Sequence, residues 1–210
     1  MRAPALPLLG AWLLCLAATA RSGTDAMARI QVRDARGGAV ADAVVILDPL
    51  DASPPVGRRS ATIDQVDRQF VPRVSVVQTG TAVSFPNSDH IRHQVYSFSP
   101  TKVFSLKLYA GSPKSTVAFD KPGLVVMGCN IHDSMLGFLA VVDSPYFAKS
   151  TADGAAEFMV PPGRYRLRVW HERAAQAYGP APLTVPDAGM SLPVTLDLSA
   201  QPGTPPPWIE

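Results

Sequence analysis

The segment LVVMGCNIHDSMLGFLAVV, residues 124–142, joins two apolar runs through a short polar stretch. The first four residues and the last five have the length and the Val, Leu and Phe content of buried β-strands. Between these runs, Cys129, His132 and Met135 fall within seven residues of one another. A turn that joins antiparallel strands gathers such side chains at one end of a sandwich. The segment therefore predicts a β-hairpin whose tip carries a thiolate, an imidazole and a thioether.

The donor types at this tip indicate a metal. Two His, one Cys and a weak axial Met form the set that copper uses in blue electron-transfer sites, whereas zinc more often takes four ligands without a thioether. A second imidazole must come from elsewhere, and residues 85–95, FPNSDHIRHQV, offer both His90 and His93. Met127 competes with Met135, because strand alternation could place Met127 on the same face as Cys129. Core packing is the alternative interpretation of Met127, and we favour it.

The N-terminus predicts export. A basic Arg2 precedes the apolar run LPLLGAWLLCLAATA, residues 6–20, which ends in small residues and is too short for a comfortable membrane span. We expect residues 1–20 to be a cleaved signal peptide, which leaves a periplasmic protein without stable membrane insertion. Only Cys15 and Cys129 occur in the chain, so cleavage would leave Cys129 alone in an oxidising compartment. A metal thiolate would explain that thiol, and a buried inert cysteine is the alternative.

The rest of the chain predicts an all-β fold. Hydrophobic residues make up 47% and charged residues 17%, and a net charge of +2 favours neither nucleic acid nor an anionic membrane as partner. No long stretch has a helical period, and 21 prolines and 15 glycines punctuate the short apolar runs. One helix or turn is expected near Glu172–Tyr178. The expected strands are Ile30–Val32, Val44–Leu47, Val74–Gln78, Ala82–Phe85, Gln94–Phe98, Val103–Leu108, Thr116–Phe119, Leu124–Met127, Phe138–Val142, Tyr165–Trp170 and Val194–Leu198.

Two separated pieces share a second pattern. Residues 28–47, ARIQVRDARGGAVADAVVIL, and residues 150–170, STADGAAEFMVPPGRYRLRVW, resemble the two halves of a carboxypeptidase-regulatory-like, or transthyretin-like, β-sandwich. In that family the halves follow each other closely, whereas about a hundred residues separate them here, so we expect an inserted domain. A single larger sandwich that shares these turns is the alternative. The expected division is a signal peptide at 1–20, sandwich parts at 27–54 and 145–199, the inserted domain at 55–144, and a proline-rich tail at 200–210.

The inserted part has its own family resemblance. FVPRVSVVQTGTAVSFPNSDHIRHQVYSF, residues 70–98, and FDKPGLVVMGCNIHDSMLGFLAVVD, residues 119–143, resemble the plastocyanin and amicyanin branch of the cupredoxins. The shared features are F-x-P, G-x-x-V-x-F-x-N, H-x-V, the P-G turn and C-x-x-H-x-x-M. With its flanking segments, the chain also resembles periplasmic proteins labelled as methylamine utilisation proteins. The fold class implied is a cupredoxin Greek-key β-sandwich inserted in, or joined to, a transthyretin-like β-sandwich.

The cupredoxin resemblance implies one type 1 copper ion. Carried over by position, His93 and His132 are the imidazole ligands, Cys129 is the thiolate, Met135 is the axial thioether, and Asn87 ties the loop of the first ligand to the cysteine loop. The departure from the family is at Asp133 and Ser134, where proline or an aromatic residue often stands, which puts the docking surface and the potential in doubt. His171 is more simply explained as a surface or hydrogen-bonded histidine than as a metal ligand, and Asp133 is either a contact for a partner or a polar loop residue.

The function implied is single-electron transfer between redox partners, such as a cytochrome or a dehydrogenase, and we expect no enzyme. Storage, delivery or sensing of copper is one alternative, which the additional sandwich favours because a minimal carrier does not need it. A β-sandwich interaction module with a non-functional copper site is the other. No nucleophile elbow, zinc-protease helix or phosphate-binding glycine loop occurs in the sequence.

Overall fold

The structure is a computed structural model that describes residues 24–51, 59–113, 115–201 and 205–208. The described residues form β-strands joined by turns and loops and contain no helix, so the all-β prediction is confirmed. The predicted signal peptide lies outside them, and within them no helix is long and apolar enough to cross a membrane. The strands are β1 (Ala26–Asp34), β2 (Val44–Pro49), β3 (Ser60–Thr62), β4 (Asp64–Val66), β5 (Gln69–Val71), β6 (Val74–Gln78), β7 (Thr81–Ser84), β8 (His93–Ser99), β9 (Lys102–Tyr109), β10 (Val117–Phe119), β11 (Gly123–Cys129), β12 (His132–Val142), β13 (Tyr146–Lys149), β14 (Ala155–Val160), β15 (Gly163–Trp170), β16 (Tyr178–Val185) and β17 (Met190–Leu196).

The middle of the chain folds into two sheets, which we call the central sheets. One has five strands in the order β6-β12-β11-β8-β9, and the other has three in the order β10-β7-β3. Strand β6 pairs in parallel with β12, although β12 follows it by many residues, so the chain crosses between the sheets as in a Greek-key sandwich. Both sheets contribute to one apolar core, which includes Val77, Val83, Phe119 and Val125.

The two ends of the chain pair with each other, and we call the result the flanking sheets. Their strand orders are β14-β1-β17 and β13-β2-β15-β16. Within the described residues, β1 and β2 form ladders only with strands that follow residue 145. These sheets enclose a separate core that contains Ile30, Leu47, Leu167 and Val194. The domain division and the transthyretin-like resemblance stay predictions.

A third apolar cluster joins the flanking and the central sheets. Val44 and Ile46 of β2 and Trp170 of β15 pack there against Phe138 and other residues of β12. Strand β12 is therefore buried on both faces along most of its length. Because the predicted metal ligands lie at the start of this strand, its burial on both faces fixes the base of the hairpin that carries them.

The C-terminal tail docks on the body where it is described. The Trp208 ring lies 6.2 Å from the ring of Trp170, and the Arg168 guanidinium lies 5.9 Å from the centre of the Trp208 ring. The Trp170 indole N–H donates to the carbonyl of Pro206. The expected extended tail thus contacts the body through its tryptophan. The segment after Trp170 forms turns, not a helix, up to β16.

Candidate metal centre

The hairpin of β11 and β12 has an uneven register at its tip. Cys129 pairs with His132 across the two-residue turn, and the next pair is Gly128 with Leu136. Residues 133–135 are therefore extra on the β12 side and form a bulge beside Cys129. A bulge of this kind re-aims side chains relative to a regular ladder. In a regular ladder Met135 would pair with Val126, three pairs beyond Cys129 and His132, whereas the bulge keeps it close to the level of the cysteine.

His93 opens β8 and points inward at this tip. Its side chain is fully buried, and its Nδ1 atom lies 3.6 Å from Sγ of Cys129. The His93 and His132 rings have centroids 5.1 Å apart and planes tilted by 58°. One donor atom from each of His93, Cys129 and His132 lies within 4.8 Å of the other two. The structure thus brings together three residues that are up to 39 positions apart in the sequence.

The donor atoms of this cluster fit a metal ion. Nδ1 of His132 is buried and has no hydrogen-bond partner. Burying an imidazole nitrogen without a partner costs free energy, because its bond to water is lost without replacement. Cys129 is a free, buried cysteine at the same point. A cation bound between the thiolate and the two imidazoles would satisfy all three groups, and a thiolate together with imidazoles favours copper or zinc over magnesium or calcium.

The far side of the His93 ring is held by a carboxylate. Oδ2 of Asp89 lies 2.7 Å from Nε2 of His93. The same carboxylate accepts the backbone N–H groups of Asp67 and Arg68 at 2.7 and 2.9 Å. Burial alone would raise the pKa of Asp89, but these hydrogen bonds and His93 together hold it below its ordinary value. A charged Asp89 directs the ring proton to Nε2 and leaves the Nδ1 lone pair facing Cys129.

Asn87 organises the loop before His93. The Nδ2 group of Asn87 donates to the carbonyls of Ile91 and Tyr109, each at 2.9 Å, and its Oδ1 accepts from the N–H of Asp89 at 3.0 Å. The family resemblance implies a tie to the cysteine loop, whereas these bonds remain on the first-ligand loop and on β9. The physical reason is a backbone bridge to Gly111, which holds Asn87 beside the end of β9.

The alternative candidate ligands, His90 and Met127, lie in different environments. His90 is exposed and lies outside the three-residue cluster. Met127 and Met135 both have almost no exposed surface and share the apolar core of Cys129. Met127 pairs with Gly137, further from the tip, whereas Met135 lies in the bulge beside Cys129. The register therefore favours Met135, and the choice between the two thioethers stays a prediction.

Two other residues considered at the sequence level lie apart from the cluster. Asp133 is exposed on the bulge. His171 is buried at the end of β15, where its Nδ1 accepts the N–H of Arg173 at 3.2 Å. A hydrogen-bonded histidine is therefore the better interpretation of His171, as the sequence suggested.

Sequence reasoning missed the support around His93. Asp89 is four residues before His93, and that spacing was its only signal. Gln65 of β4 was not singled out, yet its side-chain N–H donates to the Tyr109 hydroxyl at 2.5 Å, and that hydroxyl donates to the carbonyl of Phe85. Burial raises the pKa of Tyr109 to about 12, so its hydroxyl keeps its proton for this bond. These contacts join β4, β9 and the residue that follows β7, close to the first imidazole.

Parts of the chain are similar to several solved structures. No protein-family model matches the chain, and no curated protein matches it. Among solved structures, a Cu-containing nitrite reductase from Thermus scotoductus is 27% identical with a TM-score of 0.37, over 46% of this chain and 27% of the reductase. A purple cupredoxin from Nitrosopumilus maritimus is 20% identical with a TM-score of 0.35, over 39% of this chain and 98% of the other. A plastocyanin from Dryopteris crassirhizoma is 22% identical with a TM-score of 0.33, over 38% and 98%.

Proposed function

We propose that this chain binds one type 1 copper ion through His93, Cys129, His132 and Met135 and transfers single electrons between redox partners. The observation that supports the proposal most directly is the convergence of a thiol and two imidazole nitrogens within 4.8 Å, one of which is buried and unpaired. Copper bound there would supply one-electron redox chemistry. The signal-like N-terminal sequence supports the proposal that this activity is periplasmic.

The protein side of the site suits a carrier because it is held by β-strands. Cys129 ends β11, His93 begins β8, and both side chains are buried. Asp89 fixes the His93 ring, and the bulged hairpin fixes Cys129 against His132. Ligands that are already in place need little movement when the charge of the site changes, and this favours fast exchange of electrons. Four protein ligands would leave no open position for a substrate, so we propose a carrier and no enzyme.

The exposed edge of the site offers a contact for a partner. His132 is half-buried, while His93 and Cys129 are buried, so His132 is the ligand nearest to solvent. Ile131 beside it is 50% exposed, and Pro86 and Leu136 are partly exposed. Small apolar contacts of this kind suit weak and transient redox complexes. We propose that a cytochrome or a dehydrogenase docks at this edge.

The test is the visible and paramagnetic-resonance spectrum of the mature protein loaded with copper. We expect an intense band from charge transfer between the Cys129 thiolate and copper. Cys129→Ser should abolish that band, whereas His90→Gln, which changes an exposed histidine of the same loop, should leave it intact. Colour and copper retained in Cys129→Ser would contradict the proposal. Absence of copper binding in the native sequence would favour the interaction module instead.

A second candidate function is storage or delivery of copper, and the flanking sheets favour it. They bury the outer face of β12, and a minimal carrier does not need such a cover. Measuring the rate of electron exchange with a soluble cytochrome separates the two functions. Fast electron exchange supports the carrier, whereas tight Cu(I) binding with slow electron exchange supports delivery.

A further inference from the structure

The two faces of β12 serve different parts of the molecule. Met135, Leu139 and Val141 face the core that contains Cys129. Phe138 and Ala140, which alternate with them, face the cluster shared with the flanking sheets. The strand that follows the candidate metal ligands therefore has its back against β2 and β15. A contact on the back face of β12 therefore acts on the same strand that carries His132 and Met135.

One side chain connects that back face to the tip of the hairpin. Arg73 precedes β6, and its Nη1 donates to the carbonyl of Leu136 at 3.0 Å. The backbone carbonyl of Arg73 accepts a hydrogen bond from the N–H of Phe138 at 2.8 Å. The Arg73 guanidinium lies 5.4 Å from the centre of the Phe138 ring. Arg73 therefore holds the hairpin on both sides of Gly137. Leu136 is the neighbour of Met135 and pairs with Gly128, which precedes Cys129.

The other end of the same guanidinium is held by the flanking sheets. Nε of Arg73 lies 3.0 and 3.1 Å from the two carboxylate oxygens of Glu172, and Nη2 lies 2.8 Å from Oε2. Glu172 follows Trp170 at the end of β15, and its side chain is only 16% exposed. A guanidinium held by two parallel hydrogen bonds has a fixed orientation, because its planar fork matches the carboxylate. Glu172 thereby aims Nη1 at the Leu136 carbonyl.

We propose that Glu172 acts through Arg73 as a positioning residue for the metal-binding hairpin. The flanking sheets would thus set the placement of Leu136, and with it Met135 and Cys129, relative to His93. We call the contacts of Glu172 with Arg73, and of Arg73 with the Leu136 carbonyl, the clamp. The expected change in the copper spectrum rests on the proposed copper site, whereas the clamp is present without metal. It assigns a role to the flanking sheets that neither electron transfer nor copper delivery requires them to have.

The test compares Glu172→Gln with Asp48→Asn. Asp48 forms a similar ion pair with Arg168 within the flanking sheets, with side chains 27% and 12% exposed. It therefore controls for loss of a paired carboxylate that does not bind Arg73. Glu172→Asp, which keeps the charge on a shorter side chain, shows whether charge partly rescues the clamp.

Two readouts are measured on each variant. In the metal-free protein, Glu172→Gln should speed amide hydrogen exchange severalfold at residues 128–137, while Asp48→Asn should leave these amides as in the native sequence. In the copper-loaded protein, Glu172→Gln should change the intensity ratio of the visible bands and the copper hyperfine splitting, with Glu172→Asp between it and the native protein.

If Glu172→Gln and Asp48→Asn had equal rates of amide hydrogen exchange at residues 128–137 and equal copper spectra, the positioning role of Glu172 would be overturned. A native protein without any copper spectrum would instead remove the proposed function. In that case the exchange comparison alone still decides whether the clamp holds the hairpin, so the two failures are distinguishable.

Discussion

The Asp89 carboxylate lies 2.7 Å from Nε2 of His93, and Nδ1 on the opposite side of the ring faces Sγ of Cys129 at 3.6 Å. The carboxylate is itself held by two backbone N–H groups, from Asp67 and Arg68, both of which have positive φ. The turn between β4 and β5 thus supports the first imidazole through Asp89. A histidine ring oriented in this way needs no rearrangement to present Nδ1 to a cation.

Asp89→Asn should therefore weaken copper binding while the protein stays folded. An amide lacks the charge that favours a proton on Nε2, and it binds the two N–H groups less strongly than a carboxylate. We expect the affinity for copper to fall roughly 10- to 100-fold, which is typical for loss of such a support. Competition titration against a chelator measures the change.

Asp64→Asn is the matched control for this prediction. Asp64 lies in the same hairpin and binds the Ser88 hydroxyl at 2.7 Å, but it does not contact His93. Equal loss of affinity in Asp64→Asn and Asp89→Asn would show that general loosening of the loop, and not the carboxylate on His93, is responsible.

Met135→Leu should shift the redox potential upward, whereas Met127→Leu should not. A thioether donates weakly to the oxidised ion, so its replacement by an apolar side chain of similar volume destabilises Cu(II) relative to Cu(I). Both substitutions conserve volume and should cost less than about 1.5 kcal/mol of folding stability. Voltammetry of the two variants and the native protein measures the shift. A shift in Met127→Leu alone would reverse the assignment of the axial ligand.

Gly128→Ala should destabilise the strand that leads into Cys129. A Cβ atom at Gly128 would lie 2.9 Å from the ring and hydroxyl of Tyr96, which pairs with Gly128 across β8 and β11. Overpacking of this kind costs about 1–3 kcal/mol, and urea denaturation of the metal-free protein measures it.

Tyr96→Ala tests whether the Tyr96 ring causes the destabilisation expected in Gly128→Ala. If the clash is with the Tyr96 ring, the double variant Gly128→Ala/Tyr96→Ala should cost less than the sum of the two single changes. Additive costs would mean that the alanine acts through the backbone of β11 and that the ring does not obstruct it.

The sequence predicted the hairpin well because the signal was local. Cys129, His132 and Met135 fall within seven residues between two apolar runs, so periodicity and donor chemistry pointed to the same segment. His93 needed the second motif, and the structure places it in the cluster while His90 stays exposed. The eleven expected strands all overlap strands of the structure.

What sequence reasoning missed depends on short strands and distant partners. Strands β3, β4 and β5 have three residues each, too few for an alternation of apolar and polar residues to be recognised, and β13, β14 and β16 were also not among the expected strands. The contact of Arg73 with Glu172 joins residues 99 positions apart, and no local pattern marks either of them. From the sequence alone, both charged residues would be expected on the surface. They meet in the fold because β2 and β15 pack over β12.

His171 predicts how stability depends on pH at the junction of the sheets. Burial, with a further contribution from Arg173, lowers the pKa of His171 below its ordinary value of 6.5, and Glu172 opposes the shift only in part. The unfolded chain therefore binds a proton at higher pH than the folded chain does. The free energy of unfolding should fall as pH drops below about 6.5 and should level off below the folded pKa.

His171→Gln should flatten this dependence, because glutamine does not titrate and can still bond to the backbone N–H of Arg173. Urea denaturation of the metal-free protein between about pH 8 and pH 5 measures the slope. His90→Gln, which replaces an exposed histidine of the loop before β8, is the matched control. If the two variants had the same slope as the native protein, the acid sensitivity would have to come from other groups, and the neutral, buried ring of His171 would contribute nothing to it.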